Sequence, residues 1–256
     1  MIDPAFERDP GAAPTLREAR RVVGWGLGFW GAAQLAVAVF GNNATGLLAA
    51  QAVLAEWGAG RIGVTWSDPL RAMPSARALA KRASLGAAMG AGGAALVVVL
   101  ALVTRAATTS PALPAAASLA LGLVVSTLSA VRDELFLRGV VLRATRGLLP
   151  GWAALAACGA AAAAGRFGME GVLGLSLLVE ALRGVALGAV WIRDRGAWMA
   201  VGANAAWTWM LQSVVRGGLL DLRFATESDA GLPALLTVAA AAGLGVRWAV
   251  ARRHPS

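Results

Sequence analysis

The chain is nearly devoid of histidine, cysteine and lysine. Its one histidine, His254, sits in the terminal run Arg252-Arg253-His254-Pro255-Ser256, which excludes a histidine-ligated zinc centre. Its one cysteine, Cys158, lies in an alanine-rich apolar run. Neither an intramolecular disulfide nor a thiolate metal site can be built, and no metal or other cofactor is expected. Lys81 stands alone against 22 arginines, a bias we read as genomic base composition rather than function. Charge of either sign is scarce: 14% of the 256 residues are charged, against about 25% in ordinary soluble domains.

What replaces charge is apolar length. The chain is 58% hydrophobic with a mean hydropathy of +0.65, the composition of an all-α polytopic membrane protein. The net charge of +9 is not a nucleic-acid footprint, because the arginines fall between apolar segments with no basic stripe or aromatic interleaving. The lipid bilayer is the partner this composition implies.

A polar N-terminal arm, residues 1–21, precedes a single membrane domain over residues 22–256. About eight spans are expected: Val22 to Phe40, Ala44 to Gly60, Ser84 to Thr104, Leu113 to Leu142, Trp152 to Ala164, Val172 to Ile192, Trp198 to Val215 and Leu232 to Val250. The second and fifth are shorter than the ~20 residues of a perpendicular span. Arg61 to Arg82, basic and proline-interrupted, should lie on the membrane surface. With loops numbered alternately, one set holds 16 basic residues and the other 4. The positive-inside rule then puts both termini in the cytoplasm, in a plasma (inner) membrane. Trp25, Trp57, Trp152, Trp191, Trp198 and Trp248 fall near span ends, where indole rings favour the interface. No cleavable leader is expected, since the run after Arg21 exceeds a signal-peptide core and a bundle follows it. Gly24-x-x-x-Gly28, Gly86-x-x-x-Gly90 and Gly184-x-x-x-Gly188 offer flat faces for close helix packing.

One segment breaks the apolar pattern. Arg132-Asp133-Glu134 and Arg138 place four charges within seven residues, after an uncharged stretch from Ala115 to Ala130. Ionisable groups inside a bilayer cost roughly 2.5–3.5 kcal/mol each on insertion scales, so they are kept for pairing or for function. On a helix Glu134 and Arg138 share one face at i and i+4, while Asp133 is rotated by about 100°. Glu180 and Arg183, at i and i+3, read as a neutralising pair. Gln34, Gln51 and Gln212 read as helix-contact hydrogen bonders, and Cys158 as a small apolar filler.

Asp133-Glu134-x-x-x-Arg138-Gly139 resembles the Glu-Glu-x-x-x-Arg motif of the CPBP intramembrane proteases, the CAAX-protease and bacteriocin-processing group. That family places Phe-x-x-x-His on a helix some thirty residues later, and His-x-x-x-Asn on another. The stretch from Glu180 to Trp209, with its Arg193-Asp194-Arg195-Gly196 turn and Asn204 to Thr208, is similar to the last of these regions. The resemblance spans about residues 115–212. Glu134 and Arg138 match residue for residue. Asp133 stands where the family has Glu, Ala162 for its Phe, Arg166 for the first His, Asn204 for the second His and Thr208 for the Asn.

The resemblance implies an intramembrane endopeptidase that cuts membrane-anchored or lipidated polypeptides. Its catalytic positions would be Asp133, Glu134, Arg138, Arg166, Asn204 and Thr208. In the family the first acid and first histidine activate water, and the second histidine and the asparagine stabilise the oxyanion. Here an aspartate has about 1.5 Å less reach, against a catalytic hydrogen-bond window of about 2.6–3.2 Å. An arginine at 166, facing Asp133, would hold the carboxylate ionised and cannot shuttle a proton. Asn204 and Thr208 can still donate to an oxyanion. Two readings stay open: an active endopeptidase, or a pseudoprotease that binds a transmembrane partner. A transporter using Glu134, Glu180 and Arg183 is disfavoured by the lack of an inverted repeat or paired broken helices.

Overall fold

The computed structural model describes residues 15–41, 43–67, 74–111, 116–170, 174–215, 220–224 and 227–251. Most of the expected N-terminal arm, the starts of the fourth and sixth expected spans at Leu113 and Val172, and His254 lie outside the described residues.

Among the described residues, eight helical rods make an all-α bundle, with one short hairpin beside them. They are α1 (Leu16–Phe40), α2 (Ala44–Arg61), α3 (Ala76–Val103), the continuous rod α4 (Ala116–Asp133) to α5 (Val140–Thr145), α6 (Gly151–Glu170), α7 (Leu175–Asp194), α8 (Trp198–Trp209) and α9 (Glu227–Ala251). By length and composition, α3, α7 and the Gly231–Trp248 part of α9 suffice to cross a membrane. Large apolar side chains such as Leu27, Leu35, Val53, Val103 and Leu244 face outward. That is the surface of a bundle solvated by lipid rather than water.

Local chemistry sets the helix ends. Thr15 and Glu18 form a capping box, the Glu18 N–H donating to Thr15 Oγ1 at 3.3 Å and the Thr15 N–H to Glu18 Oε2 at 2.7 Å. Helix α1 therefore starts six residues before Val22, inside the segment read as a polar arm, and buries Ala19 and Val22. Asn43 and Ser75 cap α2 and α3, so α3 takes in the basic residues Arg77, Lys81 and Arg82. Of the rest of the segment expected at the surface, residues 68–73 lie outside the described residues; at its near end the Ala197 N–H donates to the Trp66 carbonyl at 3.0 Å, and Trp66 packs on Trp198.

Two of the three glycine pairs make tight contacts. A Cβ on Gly86 would lie 2.0 Å from the Met199 carbonyl oxygen, and one on Gly90 2.0 Å from that of Ala203. Helices α3 and α8 thus touch backbone to backbone, as small residues allow. Gly184 meets the Cys158 carbonyl and Gly188 the Cys158 side chain, fitting α7 to α6, so Cys158 is the buried filler expected of it. Gly24 and Gly28 face open space instead. On α1 it is Gly26 that meets α5, at Val140, and Phe29 that meets Gly58 of α2.

The hairpin pairs β1 (Ala107–Pro111) antiparallel to β2 (Leu220–Phe224), Ala107 opposite Phe224. It covers one end of the bundle with a small cluster of Ala101, Ala107, Val215 and Leu222. Strands this short carry no readable alternation, and sequence analysis did not foresee them.

Candidate active site

The α4–α5 rod changes winding where the charge cluster begins. Glu134–Gly139 is a π-helical turn, with the Val140 N–H bonded to the Leu135 carbonyl five residues back. Such turns collect at functional sites because the extra residue re-aims side chains. Gly139 is needed at its end. A Cβ there would come within 2.6 Å of Val64 and 3.3 Å of the Trp191 ring, so any larger residue would push Trp191 away.

Glu134 is fully buried, and Arg138 is 1% exposed. Glu134 Oε1 accepts from Arg138 Nη1 at 2.7 Å and from Asn204 Nδ2 at 2.9 Å. Its Oε2 accepts from Trp191 Nε1 at 2.8 Å. Three elements, the π-turn, α7 and α8, thus converge on one carboxylate. Charge-assisted bonds of this kind are about twice as strong as neutral ones. Every described group bonded to Glu134 is a donor. Guanidinium, indole N–H and amide NH₂ cannot take a proton from water and return it. Arg138 Nε is left buried without a partner among the described residues.

Asp133 belongs to a second network. Arg132 Nε donates to Asp133 Oδ1 at 2.7 Å, and Arg132 Nη1 to Gln51 Oε1 at 2.8 Å. Gln51 Nε2 in turn donates to the Ala33 carbonyl at 3.1 Å. The network ties α4 to α2 and α1, and it gives Gln51 the helix-bridging role expected from sequence. Gln34 has a buried Nε2 without a partner among the described residues, and Gln212 is exposed. Arg132 is thus one ion-pair partner of Asp133. Arg166 is half-buried near the end of α6, next to Gly165, which packs on Leu137. Thr208 is half-buried one turn beyond Asn204 on α8.

The turn between α7 and α8 is braced separately. Asp194 Oδ2 accepts from the Met199 N–H at 3.1 Å, and its Oδ1 lies 3.5 Å from Arg82 Nε. This fixes the start of α8 and so the bearing of Asn204. Glu180 and Arg183 do pair, at 2.7 Å.

Sequence analysis missed Trp191, which it took for an interfacial ring. The side chain is buried and donates to the central carboxylate. The available signal was helical spacing: Gly184, Gly188 and Trp191 recur at i, i+4 and i+7, on the face that packs inward.

Beside the network runs a groove of about 630 Å³ between α3, α7, α8 and α9, with Asn204 on its wall. Apolar residues line most of it. No cluster of three or more His, Cys, Asp or Glu side chains able to hold a metal occurs among the described residues.

Fold and site together define a helical membrane protein built around a buried carboxylate–guanidinium centre. The profile of the type II CAAX prenyl endopeptidase Rce1-like family matches residues 115–210, the segment that supplies Glu134, Arg138, Trp191 and Asn204. The resemblance to CPBP-type proteases holds over that segment, and the match supports a membrane-endopeptidase kind of function. No curated protein and no solved structure gives a significant match to the chain.

Proposed function

We propose that the protein takes up membrane-anchored or lipidated polypeptides as a CAAX-type endopeptidase does, but hydrolyses them slowly or not at all. The observation that carries this reading is the buried Glu134 carboxylate, whose described partners Arg138, Asn204 and Trp191 are all donors unable to exchange a proton. A hydrolytic base needs a free lone pair within about 2.6–3.2 Å of a water, and a partner to return the proton. Glu134 lacks the second among its described partners. Asp133 is engaged by Arg132, and position 166 carries an arginine where the family has a histidine. Loss of a positioned acid–base group typically lowers a rate by about 10²–10⁴-fold. Asn204, with Thr208 one turn on, keeps the capacity to orient a carbonyl oxygen. In this reading the eight rods are eight spans in a plasma membrane, with both termini cytoplasmic.

A second reading, full endopeptidase activity, is favoured by the retained Glu134–Arg138 pair inside the Rce1-like segment. It requires a water to reach the acceptor site left on Glu134 Oε2, or substrate to pull Asn204 off Oε1. The two readings separate on single-turnover cleavage of a lipidated peptide in liposomes. Wild type should cleave no faster than about tenfold over Glu134→Gln; a hundredfold difference would establish the second reading.

A further inference from the structure

The groove between α3, α7, α8 and α9 has a polarity that the protease-like centre does not use. Its walls are apolar over most of their length, contributed by residues such as Leu187, Val190, Val238 and Leu244. One end is basic. Arg193, at the end of α7, and Arg247, near the end of α9, both line it and both are exposed. Neither has an ion-pair partner among the described residues. Arg193 lies 5.6 Å from the centroid of the Trp248 ring, which lines the same end.

We propose that this groove binds one anionic phospholipid, with the phosphodiester between Arg193 and Arg247 and an acyl chain running along α7 and α9. The volume of about 630 Å³ lies in the range of small-ligand sites, about 300–1,000 Å³. Two unpaired guanidiniums are the complement of a phosphodiester, which takes planar forked donors well. A basic pocket between membrane helices on the arginine-rich side is where anionic headgroups bind. An indole beside the guanidiniums suits the headgroup level of a bilayer. A transmembrane peptide would fill the apolar length equally well but would leave the two arginines without a counter-charge. The proposal stands apart from the reading of the Glu134 centre and survives its failure.

The test is equilibrium binding to the purified full-length protein in neutral detergent. Dioleoyl phosphatidylglycerol, dioleoyl phosphatidylcholine and inorganic phosphate are each titrated and read by native mass spectrometry. Each arginine near an anionic headgroup contributes about fivefold, so the expected preference for phosphatidylglycerol over phosphatidylcholine is roughly thirtyfold, at one lipid per chain. Arg193→Gln with Arg247→Gln should abolish the preference and leave weak, equal binding of both lipids. Arg193→Lys with Arg247→Lys should keep most of it. Ala241→Phe, which fills the apolar wall from an exposed position on α9, should weaken both lipids alike. Equal binding of the two lipids by wild type would overturn the proposal. So would a preference that survives the double glutamine variant, or phosphate binding as tightly as lipid. Unchanged elution of each variant on size exclusion shows that the bundle is intact.

Discussion

Replacing Gly90 by alanine adds one methyl group, yet it should disturb the whole centre. The new Cβ would sit 2.0 Å from the Ala203 carbonyl oxygen, where real contacts stay above 3.0 Å. Helices α3 and α8 must then part by about 1 Å. Overpacking of this kind costs about 1–3 kcal/mol. Asn204 follows Ala203 directly, and its amide donates to Glu134 at 2.9 Å. A further 1 Å takes that bond beyond the usual 3.2 Å limit, and a hydrogen bond to a charged group contributes about 1.5–3 kcal/mol. Alanine recovers at most about 1 kcal/mol of helix propensity. The net expectation is a loss of about 2–5 kcal/mol. Gly92→Ala is the control, because nothing lies within 4 Å of a Cβ there, and it should be neutral or stabilising. Thermal unfolding in detergent, followed by circular dichroism, reads both. Combining Gly90→Ala with Asn204→Ala should be clearly less than additive, since the second change removes a bond the first has already broken. Equal stability of Gly90→Ala and Gly92→Ala would refute the backbone-contact argument. Strict additivity would refute the link from α3 to the carboxylate.

Trp191→Phe keeps most of the ring but removes the donor to Glu134 Oε2, and should cost about 1.5–3 kcal/mol in the same unfolding assay. Arg132→Met should free Asp133 and break the bridge to Gln51. A cost of about 3–5 kcal/mol is the upper bound for such a pair, and the partial exposure of both side chains places the result below it. Asp133→Glu, Arg166→His and Asn204→His together restore the family-like residues. They should raise the single-turnover cleavage rate of a lipidated peptide by about 10²-fold or more; no increase in a folded triple variant would contradict the missing proton shuttle.

The helices were legible because apolar runs, broken by arginines and turn residues, are a strong signal, though among the described residues three of them are long and apolar enough to cross a membrane. Their ends were less so. The Thr15–Glu18 capping box extends α1 through a stretch whose polarity reads as an arm, and Ser75 starts α3 ahead of its apolar part. Glu134 and Arg138 were legible from their spacing, and Asn204 from the resemblance of residues 180–209 to the family's last motif region. The Arg132–Asp133 pair was not. Gln51, 81 positions away in the chain, holds Arg132 beside Asp133, and no local pattern reports that contact. Trp191 escaped for a related reason: a tryptophan near a span end suits the interface as well as a core, and only helix rotation decides between them.

The most direct test uses one lipidated peptide, labelled at both ends, in liposomes carrying wild type or Glu134→Gln. Anisotropy reports binding and energy transfer reports cutting in the same sample. The account predicts saturable binding by wild type, with a cleavage rate within about tenfold of Glu134→Gln. A wild-type rate a hundredfold above Glu134→Gln, or no saturable binding, would contradict it.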